Sequence, residues 1–327
     1  MSVKLSINNQ IIYNQLKMKT ICFIVINLFI GTVAFSQKVN WIPFEWVGDS
    51  VSGKYFDKAA ITIPVSIDGL PHKFNMQFDL GAVTTVIYGN SIANYLDKYS
   101  ELKNKIDTNT SFTINGQKNP MFKDVNLGLG NISFGKRDIG YFQEFGDTIP
   151  SDSIYTSTEK QIGTIAPDLF KDQYLIIDYA NKRICVQEKL PKKFAKVNFQ
   201  PCSIVDGRIS IPLTINGKVE NLMFDSGSSI FTLLSSEENA KQISDNAIID
   251  SLSVNSWGDY LTVYGQKINA DVKFSNITLP SSNVYYIKNP MIADFFKQQN
   301  IWGITGNAYF LNKNVIIDYK NSRFGIK

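Results

Sequence analysis

The stretch Ile61-Thr62-Ile63-Pro64-Val65-Ser66-Ile67 places an apolar side chain at every second position and runs into Asp68-Gly69. Period two ending in a turn dipeptide marks a strand entering a hairpin, because successive strand side chains point to opposite faces. The pattern returns as Ile209-Ser210-Ile211-Pro212-Leu213-Thr214-Ile215, followed by Asn216-Gly217. After each turn comes another apolar run, ending in Phe78-Asp79 and in Phe224-Asp225. Aromatics at 13%, with frequent Ile, Val and Thr, strengthen the strand reading. The chain is predicted to be all-β.

Other segments also recur in order. Trp41-Ile42-Pro43 returns as Phe199-Gln200-Pro201, and Gly116-Gln117-Lys118 as Gly265-Gln266-Lys267. Leu175-Ile176-Ile177-Asp178-Tyr179-Ala180-Asn181-Lys182-Arg183 returns as Val315-Ile316-Ile317-Asp318-Tyr319-Lys320-Asn321-Ser322-Arg323. The separations drift only between 140 and 158 residues, which loop-length changes account for. Two copies of one β-rich unit are therefore expected, over residues 37–192 and 193–327.

Residues 1–36 read as an N-terminal extension and secretory signal peptide. Lys17 and Lys19 flank Met18, an apolar run covers 21–33, and Ala34-Phe35-Ser36 supplies the small residues of a cleavage site. Export to the periplasm or medium is expected, with no stable membrane anchor after cleavage. Lys4, Lys17 and Lys19 account for three of the +4 charges, leaving +1 on the mature chain. A near-neutral protein offers no electrostatic footprint for nucleic acid. Cys185 and Cys202 are the two cysteines of that chain; a disulfide or two buried thiols are both open.

The single histidine, His72, limits the chemistry further. A Ser-His-Asp or Cys-His hydrolase would have to use it, and a zinc site could have one imidazole at most. It follows Gly69-Leu70-Pro71 and is expected in an exposed loop. Neither a metal nor a cofactor is expected, so hydrolysis here would rest on carboxylates.

Asp79 and Asp225 are the candidates, because each interrupts strand material at the same place in its repeat. Asp is poorly suited to strands and costly to bury unpaired. Gly81 and Gly227 follow two residues later and permit a close backbone approach. Two copies related by an approximate two-fold would bring these turns face to face, where the carboxylates could share one proton. Asp178 and Asp318 also repeat, but Asp-x-x-Asn before Arg is ordinary turn chemistry, and they are expected to be structural.

At this point the chain resembles the aspartic peptidases of the pepsin and retropepsin type, whose signature is Asp-Thr/Ser-Gly-Ala/Ser/Thr once per lobe. Asp225-Ser226-Gly227-Ser228 fits fully, and Asp79-Leu80-Gly81-Ala82 fits at three of four positions. The resemblance covers essentially all of 38–327. It implies a bilobal fold with a central cleft, catalytic Asp79 and Asp225, and support from Gly81, Ala82, Ser226, Gly227, Ser228 and Ser229. It also implies a peptide or protein substrate, cleaved by water activated between the two carboxylates. Like charges at contact distance cannot both ionise cheaply, so the pair would titrate as a dyad.

The family's apolar-apolar-Gly element is matched partly by Ile162-Gly163 and well by Ile301-Trp302-Gly303. Its short helix before the closing strand is matched at 166–170 and 305–310, and its mobile hairpin over the cleft at residues 113–125. Thr84, Thr85, Ser228 and Ser229 are expected to hydrogen-bond around the turns. Leu80 departs from the pattern, since it lacks the hydroxyl that pins one turn to the other. Losing that bond costs about 1 kcal/mol. Ala82 likewise lacks the hydroxyl of Ser228, which implies a less acidic pH optimum than the family's digestive members have. A catalytically silent peptide-binding protein on the same scaffold is the alternative.

Overall fold

The computed structural model describes residues 39–114 and 116–327; the predicted leader lies outside them. It is built mostly of strands, arranged in three sheets. The period-two segments fold as expected. Lys73–Phe78 alternates between buried and partly exposed positions, and Arg208–Ile215 buries every second side chain. That alternation gives each strand a core face of Phe, Ile, Met and Leu.

Two of the sheets repeat one plan. The first runs, in spatial order, Glu45–Val51, Lys54–Ile67, Lys73–Phe78, Gln161–Ile165, Val86–Tyr88, Ile132–Phe142, Gln117–Leu129, Ile106–Ile114. In the second, Arg208–Ile215, Lys218–Phe224, Gly303–Thr305, Leu233–Ser236, Asn283–Ile287, Asp259–Ile268 and Ser244–Ser256 follow the same course. Both contain the same unusual step, in which the strand ending at the Asp lies parallel to a much later strand. Phe78 is in register with Ile165, and Phe224 with Thr305. Closure is shared as well: Lys54–Ile67 pairs with Gln117–Leu129, and Arg208–Ile215 with the short strand Val272–Phe274.

The third sheet draws on both repeats. Its order is Trp41–Pro43, Arg183–Gln187, Tyr174–Asp178, Asn314–Asp318, Arg323–Ile326, Phe199–Pro201, all antiparallel. Its centre is self-paired: Ile176 lies opposite Ile316, its own repeat equivalent, while Tyr174 faces Asp318 and Asp178 faces Asn314. An approximate two-fold axis therefore passes between Ile176 and Ile316. Arg183 covers the Trp41 ring at 4.2 Å, and Arg323 covers the Phe199 ring at 4.8 Å. The edges thus repeat in their side chains too.

Asp178 and Asp318 sit in the turns of this sheet. Asp178 accepts from Asn181 Nδ2 at 2.9 Å and Arg183 Nε at 2.9 Å; Asp318 accepts from Asn321 N and Arg323 Nε, both at 3.0 Å. Burial acts to raise both acids, but these donors outweigh it and hold them below the ordinary carboxylate range. Both are structural turn acids.

Three details differ from expectation or resolve it. His72 lies in a bend but is half-buried rather than exposed, with Nε2 enclosed and unbonded. Cys185 and Cys202 are both free thiols, and burial pushes them up to about 11 and about 12. Short helices follow the central strands at equivalent places, Gly89–Leu96 and Glu237–Gln242, the latter capped by Ser236 Oγ. The helix Pro290–Gln298, with Pro first and an Asn289 cap, has no counterpart among the described residues of the first repeat.

Candidate functional site

The two parallel strand pairs set the site. Asp79 N donates to Ile165 O and Asp225 N to Thr305 O, both at 3.0 Å, so each acid is fixed at the C-terminal edge of its sheet. The chain then turns sharply and the carboxyl group folds back over the turn. Asp79 Oδ1 accepts from Gly81 N at 2.8 Å and Ala82 N at 3.2 Å; Asp225 Oδ1 accepts from Gly227 N and Ser228 N at the same two distances. A strand that ends in an Asx-type turn can carry an Asp where a continuing strand cannot.

The structure brings Asp79 and Asp225 together, their carboxyl groups within hydrogen-bonding reach of each other. Each turn's glycine faces the opposite acid. A Cβ on Gly81 would lie 2.5 Å from Asp225 Oδ1, and one on Gly227 would lie 2.6 Å from Asp79 Cγ. Both positions need glycine for close approach, not for unusual backbone angles. Burial pushes Asp79 well above the ordinary carboxylate range, and the Asp225 charge and a carboxyl–carboxyl hydrogen bond push it further. The backbone donors of Gly81 and Ala82 act against this and lose.

Ser226 joins the turns. Its hydroxyl, fully buried, accepts from Leu80 N at 2.9 Å and donates to Phe78 O at 2.9 Å. Leu80 returns no such bond through its side chain, which lies at 0% exposure in the main apolar core. Full burial of a leucine is worth about 1.5–3 kcal/mol, against about 1 kcal/mol for a hydrogen bond. On those magnitudes Leu80 is not a net loss to the fold.

The support differs between the turns. Ser228 Oγ donates to Asp225 Oδ2 at 2.8 Å, a third bond to that carboxyl group; the Ala82 side chain has no hydroxyl to give Asp79 its equivalent. Ser229 Oγ donates to Lys58 O at 2.9 Å, tying the second turn to the strand Lys54–Ile67 of the other repeat. Thr85 Oγ1 donates to Asp168 Oδ1 at 2.6 Å and accepts from Ala166 N at 3.0 Å. Thr84 is half-buried beside it.

Residues not anticipated from sequence complete the site. Asn307 is fully buried; its Nδ2 donates to Ser226 O (2.9 Å) and Ser229 Oγ (3.0 Å), and its Oδ1 accepts from Tyr179 OH (2.6 Å). It occupies the one-turn helix Asn307–Tyr309; the equivalent turn, Pro167–Phe170, begins with Pro167. Repeat alignment alone could have flagged this Pro/Asn difference. Tyr88 hydrogen-bonds Thr164 Oγ1, and burial pushes its phenol up to about 12, with the Asp79 charge contributing.

The apolar-Gly elements lie where the central strands cross. Gly163 and Gly303 press against the crossing strands, at Val86 O and Leu234 O, and not against the acids' turns. The glycine under the second turn is Gly306, three residues on, where a Cβ would run into Ser228 O. The reason is register: Ile165 and Thr305, not the glycines, lie opposite the residues before each Asp.

Among the described residues no group of three or more His, Cys, Asp or Glu is placed to hold a metal, and no helix is long and apolar enough to cross a membrane. Comparison with known protein families finds no matching family model, and comparison with curated proteins finds no matching relative.

Proposed function

We propose that the protein is an aspartic endopeptidase with a bilobal fold, one lobe per repeat, cleaving peptides that lie in the cleft between them. The observation that carries this is the paired acid turns. Two carboxyl groups from equivalent turns face each other, each against the other turn's glycine, and Asp225 acts on the ionisation of Asp79. Supporting features are the repeated sheet plan, the self-paired strands at Ile176 and Ile316, and the Ser226 clasp. The predicted leader makes the periplasm or medium its place of action.

In this mechanism Asp79 holds the proton that the pair shares, since burial and Asp225 both oppose its ionisation. Asp225 accepts a proton from a water lying between the two acids. The water oxygen attacks the scissile carbonyl carbon while Asp79 donates its hydrogen bond to the carbonyl oxygen. Asp225 then passes its proton to the departing amine, and the C–N bond breaks. General acid–base assistance of this kind contributes about 10²–10⁴-fold per group.

The test uses a peptide library and a statine-type inhibitor with the wild type, Asp79→Asn and Asp225→Asn. Cleavage by the wild type that falls by about 10³-fold or more in each variant is the expected result. Cleavage surviving both substitutions excludes the dyad. Inhibitor binding without cleavage at any pH would instead favour the silent peptide-binding scaffold.

A further inference from the structure

A run of hydrogen bonds reaches the second acid from the first repeat. Tyr179 lies one residue beyond the strand Tyr174–Asp178, its ring stacked on Trp46 at 6.1 Å and edge-on to Phe44 at 6.5 Å, so the phenol has a fixed direction. Its hydroxyl donates to Asn307 Oδ1 at 2.6 Å. That bond sets which way the carboxamide faces, because Oδ1 can only accept and Nδ2 can only donate. Nδ2 then donates to Ser226 O at 2.9 Å. Ser226 O and Gly227 N belong to one peptide group, and Gly227 N donates to Asp225 Oδ1 at 2.8 Å. Four groups are thus joined in line: phenol, carboxamide, peptide and carboxyl group.

The first turn is built without this run. Gly81 N donates to Asp79 Oδ1 at the same 2.8 Å, and its peptide partner is Leu80 O. Pro167 stands at the place of Asn307 and has no side-chain N–H to offer. Tyr319 repeats Tyr179, yet its hydroxyl is enclosed with no hydrogen-bond partner among the described residues. The difference bears on the acids. A peptide whose carbonyl oxygen accepts a bond becomes a better donor at its N–H, since bonds in a chain strengthen one another by about 10–30% each. A stronger donor at a carboxyl oxygen favours the ionised form.

We infer that Tyr179 is a positioning residue for the second acid: through Asn307 and the Ser226–Gly227 peptide it strengthens the donor that holds Asp225 as a carboxylate. The inference rests on the peptidase reading for the use of that carboxylate, but not for the relay itself. Asp79 faces Asp225 from the first turn, with Tyr88 behind it, and Asp178, beside Tyr179, is bound to Asn181 and Arg183. Burial holds the Tyr179 phenol well above its ordinary range, so it remains a donor wherever the acids titrate.

Tyr179→Phe keeps the ring against Trp46 and Phe44 and removes only the donor. In protein isotope-labelled at glycine, the Gly227 amide proton should move upfield, as a weakened hydrogen bond requires, while that of Gly81 stays. In the proposed mechanism Asp225 must be ionised, so activity is lost as pH falls through the acid limb of the kcat/KM profile. Breaking the relay should move that limb to higher pH by about 0.3 pH unit, the order expected when a charge-assisted bond loses a strengthening of about 10–30%. The alkaline limb should stay in place. A merely structural loosening would instead lower the rate at every pH or draw the two limbs together, since acids held further apart perturb each other less. In an Asn307→Leu background Tyr179→Phe should add no further shift. An unmoved Gly227 amide, an unmoved acid limb, limbs that draw together, or additive shifts in the double variant would each overturn the relay. If the Gly227 amide moves in a protein that cleaves no peptide at any pH, the relay stands and the peptidase reading falls.

Discussion

The two acid turns share a backbone and differ in what surrounds it. At Asp225 the carboxyl group accepts three donors and is half-buried; at Asp79 it accepts two and is 8% exposed. The second turn contributes the hydroxyl that clasps the first, while the first contributes a leucine to the core. A duplicated unit could have kept both turns alike. Their divergence instead gives two chemically equivalent acids distinct environments, and environment decides which carboxyl group holds a proton. Symmetry brings the pair together; in the proposed mechanism its breaking assigns the roles.

The largest expected effect comes from the feature the turns share. Gly81→Ala would put a methyl group into the Asp225 carboxyl group, and Gly227→Ala into that of Asp79. Either must separate the acids by a fraction of an ångström to an ångström, a displacement that can cost about 10²-fold in rate. Peptide-cleavage assays on both variants check this, with circular dichroism showing that each still folds. A normal kcat/KM in either would mean that the close packing of the turns is incidental.

Next in size is the clasp. Ser226→Val keeps the shape but removes the acceptor for Leu80 N and the donor to Phe78 O. Leaving buried backbone groups unsatisfied costs about 1–3 kcal/mol each. Denaturant unfolding should therefore show a loss of about 2–6 kcal/mol, and Ser226→Thr should recover most of it. Leu80→Thr, the substitution that would make the turns alike, should not stabilise, since it gives up leucine burial for one hydrogen bond. If Leu80→Thr proved more stable than the wild type, the account of the asymmetry would fail.

Much of this architecture was legible because it repeats. Alternation at 61–67 and 209–215 identified strands, since period two is a direct print of the pleat. The ordered recurrences pointed to a second unit, and Asp79 and Asp225 stood out as acids in apolar strands. What stayed hidden depends on register across distant strands. Gly306 and Asn307 support the second turn from about 80 residues away, and nothing local in Thr305-Gly306-Asn307 announces it. Gly163 and Gly303, which follow apolar residues, instead meet the crossing strands at Val86 O and Leu234 O. Pairing of Phe224 with Thr305 brings Gly306 under the second turn. His72 misled because turn composition predicts a bend, but not how deeply its side chain is enclosed.

The finest test of the asymmetry is Ala82→Ser, which gives the first turn the hydroxyl that Ser228 places 2.8 Å from Asp225 Oδ2. A new donor to the Asp79 carboxyl group favours its ionised form, so it lowers a pKa that burial and Asp225 hold up. In the proposed mechanism Asp79 must be protonated. Activity is then present below its folded pKa and lost as pH rises through it, which makes Asp79 the source of the alkaline limb of the kcat/KM profile. Lowering that pKa moves the limb towards acid and leaves the rate on its acid side nearly unchanged. A pH–rate series on wild type and variant reads the direction. Movement of the alkaline limb to higher pH would show that the wrong acid has been given the proton, even if both are catalytic.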